Sequence, residues 1–235
     1  MKLAVDLHIH SCLSACANDD MTPNNIVNMA YLKGLDVLAV ADHNSAKNLP
    51  AVEAVAKERG LLLLPAIEVE SKEEVHILCY LKTVQDALAL CDYVYAGLNG
   101  INVKEVFGNQ LIMNEDDELV AQENLLLSQA TSYSIEQIAA YVKEIGGVAL
   151  PAHINRQSNS LLYNLGFIPP GLFASVEISK LAPVPSIDIS AYHVVHSSDA
   201  HDLSNIFERD NFLELPERST EAILEYLRSQ KAVTV

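Results

Sequence analysis

Asp6-Leu7-His8-Ile9-His10-Ser11 brings two imidazoles and a carboxylate to the end of the apolar run Leu3-Ala4-Val5. Read as a strand, the stretch alternates faces with period two, so Asp6, His8 and His10 are expected on one side. Imidazoles and carboxylates converging at a strand end are the usual donors of divalent metal sites. Further donors recur where other apolar runs give out: His43, Glu68, His153, and Asp199 with His201. That is more than one tetrahedral ion needs, so two or three clustered metals are the simplest reading.

The elements that must position these residues follow a repeating pattern. Thr22-Pro23 reads as an N-cap and first helical position, and Gly34 closes that helix. Leu35 to Val40 is a short apolar strand running into Ala41-Asp42-His43-Asn44, and a helix from about Ala51 to Arg59 stops at Gly60. Leu61 to Ile67 reads as one buried strand ending at Glu68, and Val75 to Leu81, carrying His76, as the next. Residues from about Thr83 to Ala130 look mainly helical and are read as an insertion over one mouth of the domain. Ser134 with Gln137 makes a capping box for a helix ending at Gly146-Gly147. Strand runs at Val148 to Ala152, Ala174 to Ile178 and Tyr192 to Ser197 follow, then an amphipathic helix from about Ser219 to Ser229. About seven strand candidates, most followed by a helix, predict an α/β fold with a parallel sheet, closed or nearly closed as a barrel. The strand ends of such a barrel share one face, which would gather the donors.

Composition sets bounds on partners. Half of the 235 residues are apolar, enough for a sizeable core. The four cysteines lack paired CxxC spacing, and no basic leader with an apolar core and cleavage site opens the chain. A reducing cytoplasm is therefore expected. No apolar run reaches the roughly 20 residues that span a bilayer, so no membrane partner is expected. With 31 acidic against 15 basic residues the formal charge is −16. A surface this acidic repels polyphosphate backbones, which argues against long nucleic acid and leaves room for a small anion held by a metal cluster and one or two local cations.

Six segments in order, Asp6-Leu7-His8-Ile9-His10-Ser11, Ala41-Asp42-His43-Asn44, Glu68, Val75-His76-Ile77-Leu78, Pro151-Ala152-His153 and Ser198-Asp199-Ala200-His201, resemble the PHP (polymerase and histidinol phosphatase) family. The resemblance covers nearly the whole chain. It implies a distorted (β/α)7 barrel over residues 1–235, with the insertion at about 83–130. It also implies a stand-alone phosphoesterase that hydrolyses a phosphomonoester or nucleotide by metal-activated hydroxide. Manganese, zinc or iron would be its metals. By the same resemblance His8, His10, Glu68 and Asp199 hold one ion, Glu68, His76 and His153 a second, and His43 and His201 part of a third. The family's remaining ligand to that third ion should lie five or six residues after His10, where this chain has Ala15 and Cys16. Asp19 is the preferred replacement, with Asp20 and Cys16 as alternatives.

Asp199, His201 and Arg156 are read as catalytic residues, and Arg156 and Asn44 as substrate-binding. Arg156 follows His153 by three positions, and a guanidinium can clamp two phosphate oxygens. Asp6 and Asp42 are read as orienting ligand imidazoles or as ligands themselves. His193 and His196 are read as structural, the cysteines other than Cys16 as core residues, and the acidic run 115–118 as a solvated face. The competing function is a PHP module that binds metal or nucleotide without catalysis.

Overall fold

The computed structural model describes residues 1–231. The first half of the chain contains β1 (Lys2–Ile9), α1 (Pro23–Leu32), β2 (Val37–Val40), α2 (Leu49–Arg59), β3 (Leu62–Leu63), β4 (Ala66–Glu70), β5 (His76–Tyr80) and α3 (Val84–Tyr95). There follow α4 (Lys104–Phe107), β6 (Leu111–Met113), β7 (Leu119–Gln122), α5 (Ile135–Glu144), β8 (Val148–Pro151) and α6 (Leu161–Asn164). The last part holds β9 (Ser175–Glu177), β10 (His193–Val195), β11 (Phe212–Glu214) and α7 (Thr220–Arg228).

Local chemistry explains several boundaries. The Thr22 side chain accepts from Asn25 N ahead of Pro23, as predicted. Ser134 and Gln137 form the expected reciprocal capping box on α5. Gly60 ends α2 in the left-handed region at φ 70°, a conformation that costs a glycine little.

The mixed α/β class is as expected, but the strands do not join into one closed barrel. They form a β11-β1-β2-β3 sheet, a β4-β5-β8 sheet, a β10-β9 pair and a β6-β7 hairpin. The break falls where one strand was expected across Leu61 to Ile67. Pro65 has no N–H to give to a ladder, and the chain there passes from β3, paired with β2, to β4, paired with β5. Single bridges, Ile9 with Ala200 and His43 with Glu68, stitch strand ends across such gaps. Nor is the sheet all parallel, because β5 runs antiparallel to both β4 and β8. His76 therefore begins its strand rather than ending it, and antiparallel pairing still sets it beside Glu70 at the donor end.

Strands β1, β2, β4 and β5 are buried on both faces, which accounts for their nearly continuous apolar runs. Leu3, Val5, Leu7, Val37, Ala39, Ala66, Leu78, Tyr80 and Leu150 meet in an inner core between the sheets. Leu38, Val40, Ile67, Val69, Ile77 and Cys79 face outward into a second core with Ile26, Val52, Leu90 and Ile138 from the helices.

The segment expected to be a mainly helical insertion is helical only in its first half. After α3 and the single turn of α4, the chain forms the β6-β7 hairpin, whose turn carries the acidic run 115–118. At three and four residues, Leu111–Met113 and Leu119–Gln122 are too short to carry a period-two signal. The segment closes on the donor end: a Cβ at Gly108 would lie 2.5 Å from Ala15 O, so only glycine fits there. Among the described residues no helix is long and apolar enough to cross a membrane.

Candidate metal centre

Period two on the inner face decides which polar residues crown the core. On β4, Ala66 packs into the inner core and Glu68 lies two residues further along the same face. On β5, Tyr80 and Leu78 pack inward and His76 continues their row. His153 follows the inward Ala152 directly, so strict alternation would turn it away; its φ of 26° breaks the extended run there. Asp199 (φ 52°) shares this left-handed backbone. Such conformations cost of order 1–3 kcal/mol and concentrate at functional sites.

Glu68 sits at the centre, almost fully buried. Its Oε1 is 3.0 Å from His76 Nδ1, 3.2 Å from His153 Nε2 and 3.4 Å from His8 Nε2. Its Oε2 is 3.0 Å from His43 Nδ1 and 3.3 Å from His10 Nε2. Asp199 Oδ1 lies 3.1 Å from His10 Nε2, 3.5 Å from His8 Nε2 and 3.6 Å from His201 Nδ1. The predicted donors His8, His10, His43, Glu68, His76, His153, Asp199 and His201 are thus brought together.

The ring tautomers follow from the outer hydrogen bonds. His8 Nδ1 faces both oxygens of Glu177 at 3.2 Å, so it carries the proton. Ser14 Oγ donates to Asp42 Oδ1, so it accepts from His10 Nδ1 at 3.0 Å. His201 Nδ1 donates to Asp199 O at 2.8 Å. Each of these rings therefore offers an Nε2 lone pair when neutral, the arrangement by which outer partners orient metal-binding imidazoles.

The donor set fits divalent ions. His43 Nδ1, Glu68 Oε2, His76 Nδ1, His153 Nδ1 and Asp199 Oδ1 are buried without a hydrogen-bond partner. Orphaned buried donors at this density are costly unless something pairs them. Groupings with ligand atoms within 4.8 Å of one another are His8, His10 and Glu68; His43, Glu68 and His76; and His10, Cys16, His43 and His201.

Charge within the cluster is self-compensating. Burial opposes ionisation of Glu68, but the charges of His76 and His8 hold its pKa well below the usual range. Burial likewise opposes charging of His8, yet Glu177, Asp199 and Glu68 raise its pKa well above 6.5. The Asp199 and Glu68 carboxylates, 3.1 and 3.3 Å from His10 Nε2, overcome burial there and raise its pKa to about 8. At His76 burial prevails, and its pKa falls to about 4. Burial disfavours the Cys16 thiolate, but hydrogen bonds from His201 and His43 bring its pKa down to about 5.

Several expected roles change. Asp19 does not reach the cluster: its Oδ2 accepts from Asn109 Nδ2 at 2.8 Å on the exposed side of the loop. Cys16 takes the place beside His10, His43 and His201 instead. Asn44 has no free polar atom for a substrate. Its amide donates to Leu127 O and Gln129 O, and its Oδ1 accepts from Glu70 N. Asp6 orients no imidazole; it accepts from Ser198 N and Phe207 N and so holds the Asp199 segment. Asp42 accepts from Ser11 and Ser14 and shapes the loop after β1. Arg156 Nη1 lies 2.5 Å from Asp199 Oδ2 at the rim. His193 contacts Ser229 and Tyr226, and His196 Nδ1 donates to Ile178 O; neither joins the cluster. Glu177 was not foreseen. Its one signal is a lone acidic residue between Val176 and Ile178 in an apolar run.

No family model matches the chain. It is 34% identical over 80 residues to a 5'-3' exoribonuclease of Haemophilus influenzae, covering 33% of this chain and 28% of that protein. The lesion-specific endonuclease of Pyrococcus furiosus superposes with a TM-score of 0.66 at 19% identity, over 97% of this chain and 56% of that one. Endonuclease Q bound to a 27-mer duplex, with an abasic lesion at its active site, superposes with a TM-score of 0.65 at 20% identity, with the same coverage of both chains. A candidate metal-dependent phosphoesterase of Bifidobacterium adolescentis gives a TM-score of 0.62 at 18% identity, over 96% of both chains. The chain thus spans under a third of the exoribonuclease and about half of the endonuclease.

The endonuclease complex overturns the exclusion of long nucleic acid drawn from net charge. In that protein, 56% of which superposes on this chain, a 27-mer duplex sits with its abasic lesion at the active site. Net charge sums the whole surface, whereas nucleic acid meets the local field of one cleft, where bound cations are the largest charges. At this identity the shared property is the fold, which the chain has in common with that endonuclease and that candidate phosphoesterase.

Proposed function

We propose that the chain is a metal-dependent phosphoesterase acting on a phosphoester of nucleic acid. The observation that carries this reading is Glu68, one buried carboxylate within 3.4 Å of five imidazoles. His8, His10, Glu68 and Asp199 would hold one divalent ion, and Glu68, His76 and His153 a second. His43 and His201 would contribute to a third, and manganese, zinc and iron suit such donors. When bound, the ions supply Lewis acidity, which activates water and neutralises charge on phosphoryl oxygens.

The chain's own residues supply the rest. Arg156 stands between the donor cluster and a cleft of about 710 Å3 lined by Asn155, Tyr163, Leu181 and Val184. From there its guanidinium can turn from Asp199 to two oxygens of a phosphate. The exposed Tyr163 ring offers a surface on which a base can stack. The likenesses to an exoribonuclease and to the fold of a DNA endonuclease support the substrate class.

Metal-loaded protein should be assayed on 5'-phosphorylated RNA and DNA oligonucleotides, an abasic duplex and free mononucleotides, with and without chelator. Metal-dependent cleavage of an oligonucleotide is expected. Hydrolysis of mononucleotides alone would remove the nucleic-acid part of the proposal. Activity that survives complete chelation would remove the metal part.

A further inference from the structure

The loop after β1 departs from the donor pattern of its neighbours, because it brings a thiol rather than a carboxylate to the cluster. We propose that Cys16 is a metal ligand, and that Cys16, His43 and His201, with His10 in reach, form a zinc-type site distinct in chemistry from the Glu68-centred positions. The inference rests on the metal-dependent reading above and deepens it.

Three observations carry it. The Sγ of Cys16 and one ring nitrogen each from His10, His43 and His201 all lie within 4.8 Å of one another, the compactness of a single coordination sphere. The loop is also fixed on both sides of the thiol by the segments that bear the histidines. Before it, Ser14 Oγ accepts from His43 N at 3.1 Å and from His10 Nδ1 at 3.0 Å. After it, Asn18 N donates to His201 O at 2.9 Å. Cys16 is thus held over the rings rather than swinging on a free loop. Finally, the His43 and His201 ring centroids lie 4.6 Å and 4.2 Å from that of His10, so the three imidazoles converge beside the thiol.

The other cysteines show what an idle thiol looks like here. Cys12, Cys79 and Cys91 are buried in the cores, and Cys12 and Cys79 donate to backbone carbonyls. Cys16 is exposed at the loop and stands beside the imidazoles of His10, His43 and His201 instead.

The chemistry of the set points to the metal. A soft thiolate with imidazoles favours zinc over manganese or magnesium, which prefer oxygen donors. If His10 is committed to the ion shared with His8 and Asp199, Cys16, His43 and His201 remain as three protein ligands. That number leaves a position open for water or substrate, as catalytic zinc sites do. A thiolate there would also make one ion of the centre differ from its neighbours in metal preference.

The test is reconstitution of metal-free protein with cobalt(II), followed by absorption spectroscopy and metal counting. Wild type should show a thiolate-to-cobalt charge-transfer band in the near ultraviolet. Cys16→Ser should lose the band and bind one ion fewer per chain, with unchanged circular dichroism. Cys16→Asp should restore the ion count without the band. Cobalt uptake by wild type without the band overturns the proposal, as does a band that survives Cys16→Ser. Failure to take up any cobalt overturns it together with the metal-dependent reading, whereas the first two results leave that reading standing.

Discussion

Both carboxylate oxygens of Glu177 lie 3.2 Å from Nδ1 of His8, and one of them also accepts from His153 N at 2.9 Å. One buried acid thus orients a ring against Glu68 and fixes the backbone turn that presents a second ring. Glu177→Gln keeps the shape and removes the charge that makes His8 a stronger base. Loss of such an outer partner costs roughly 10–100-fold in metal affinity. Competition with a chelator of known affinity should show that loss, and the thermal midpoint of the metal-free protein should fall as well, because a buried charge pair is broken. Unaltered metal affinity would mean that Glu177 only packs.

Metal binding must displace protons, so it should depend steeply on pH. The nearby Asp199 and Glu68 carboxylates outweigh burial and keep His10 protonated up to about pH 8. Its folded pKa lies above the ordinary 6.5, so protons compete with metal below about 8 and the competition fades above it. Titration calorimetry at a series of pH values should show affinity rising with pH and proton release at neutral pH. A flat profile would exclude His10 as a ligand.

The parts of this centre that were legible in the sequence are those set by local chemistry. His8 and His10 lie two apart at a strand end, and Thr22-Pro23 and Ser134 with Gln137 announce helix starts within four residues. What was hidden depends on contacts made at long range. Nothing in Val75 to Leu81 records that β5 runs antiparallel to β4, since period two is blind to strand direction. Asn44 reads as a polar residue beside a ligand, yet its partners Leu127 and Gln129 come from a segment more than eighty residues away. Asp19 lost to Cys16 because of how the loop turns, with Asn18 tied to His201 and Asp19 drawn outward by Asn109.

Two substitutions separate the cluster from histidines that share only its chemistry. Asp199→Ala removes a carboxylate close to His8, His10, His201 and Arg156. Turnover should fall at least about 10²-fold, the scale for losing one group that stabilises transition-state charge. His193→Ala should leave turnover within twofold, at about the noise of such assays, since that ring packs on Tyr226 away from the cluster. Comparable losses in both variants would point to general destabilisation instead.

Arg156 is a rim cation whose present partner is Asp199, so its proposed work requires it to exchange a carboxylate for a phosphate. Arg156→Ala should lower kcat/KM by about 10²-fold, and Arg156→Lys should recover only part of it, because a point charge cannot bind two oxygens in a fork. The metal count should be normal in both variants. If Arg156→Lys were fully active, a single charge would suffice and the clamp would be dispensable.

The thiols provide a check on the loop that needs no substrate. In metal-free protein, burial opposes ionisation of Cys16, but hydrogen bonds from His201 and His43 depress its pKa from 9.0 to about 5. Burial drives the other way at Cys12, to about 12, and also raises Cys79 and Cys91. Alkylating reagents attack the thiolate. At neutral pH a single cysteine should therefore react, and peptide mapping should identify it as Cys16. Its rate should drop about tenfold per unit as pH falls below about 5 and level off above it, because the reactive form is the deprotonated one. Adding zinc should suppress the reaction at neutral pH and above, where protons compete least with the metal. A midpoint near the ordinary 9.0 would mean that the thiol does not lie over the histidines, and the loop would then have no donor to give.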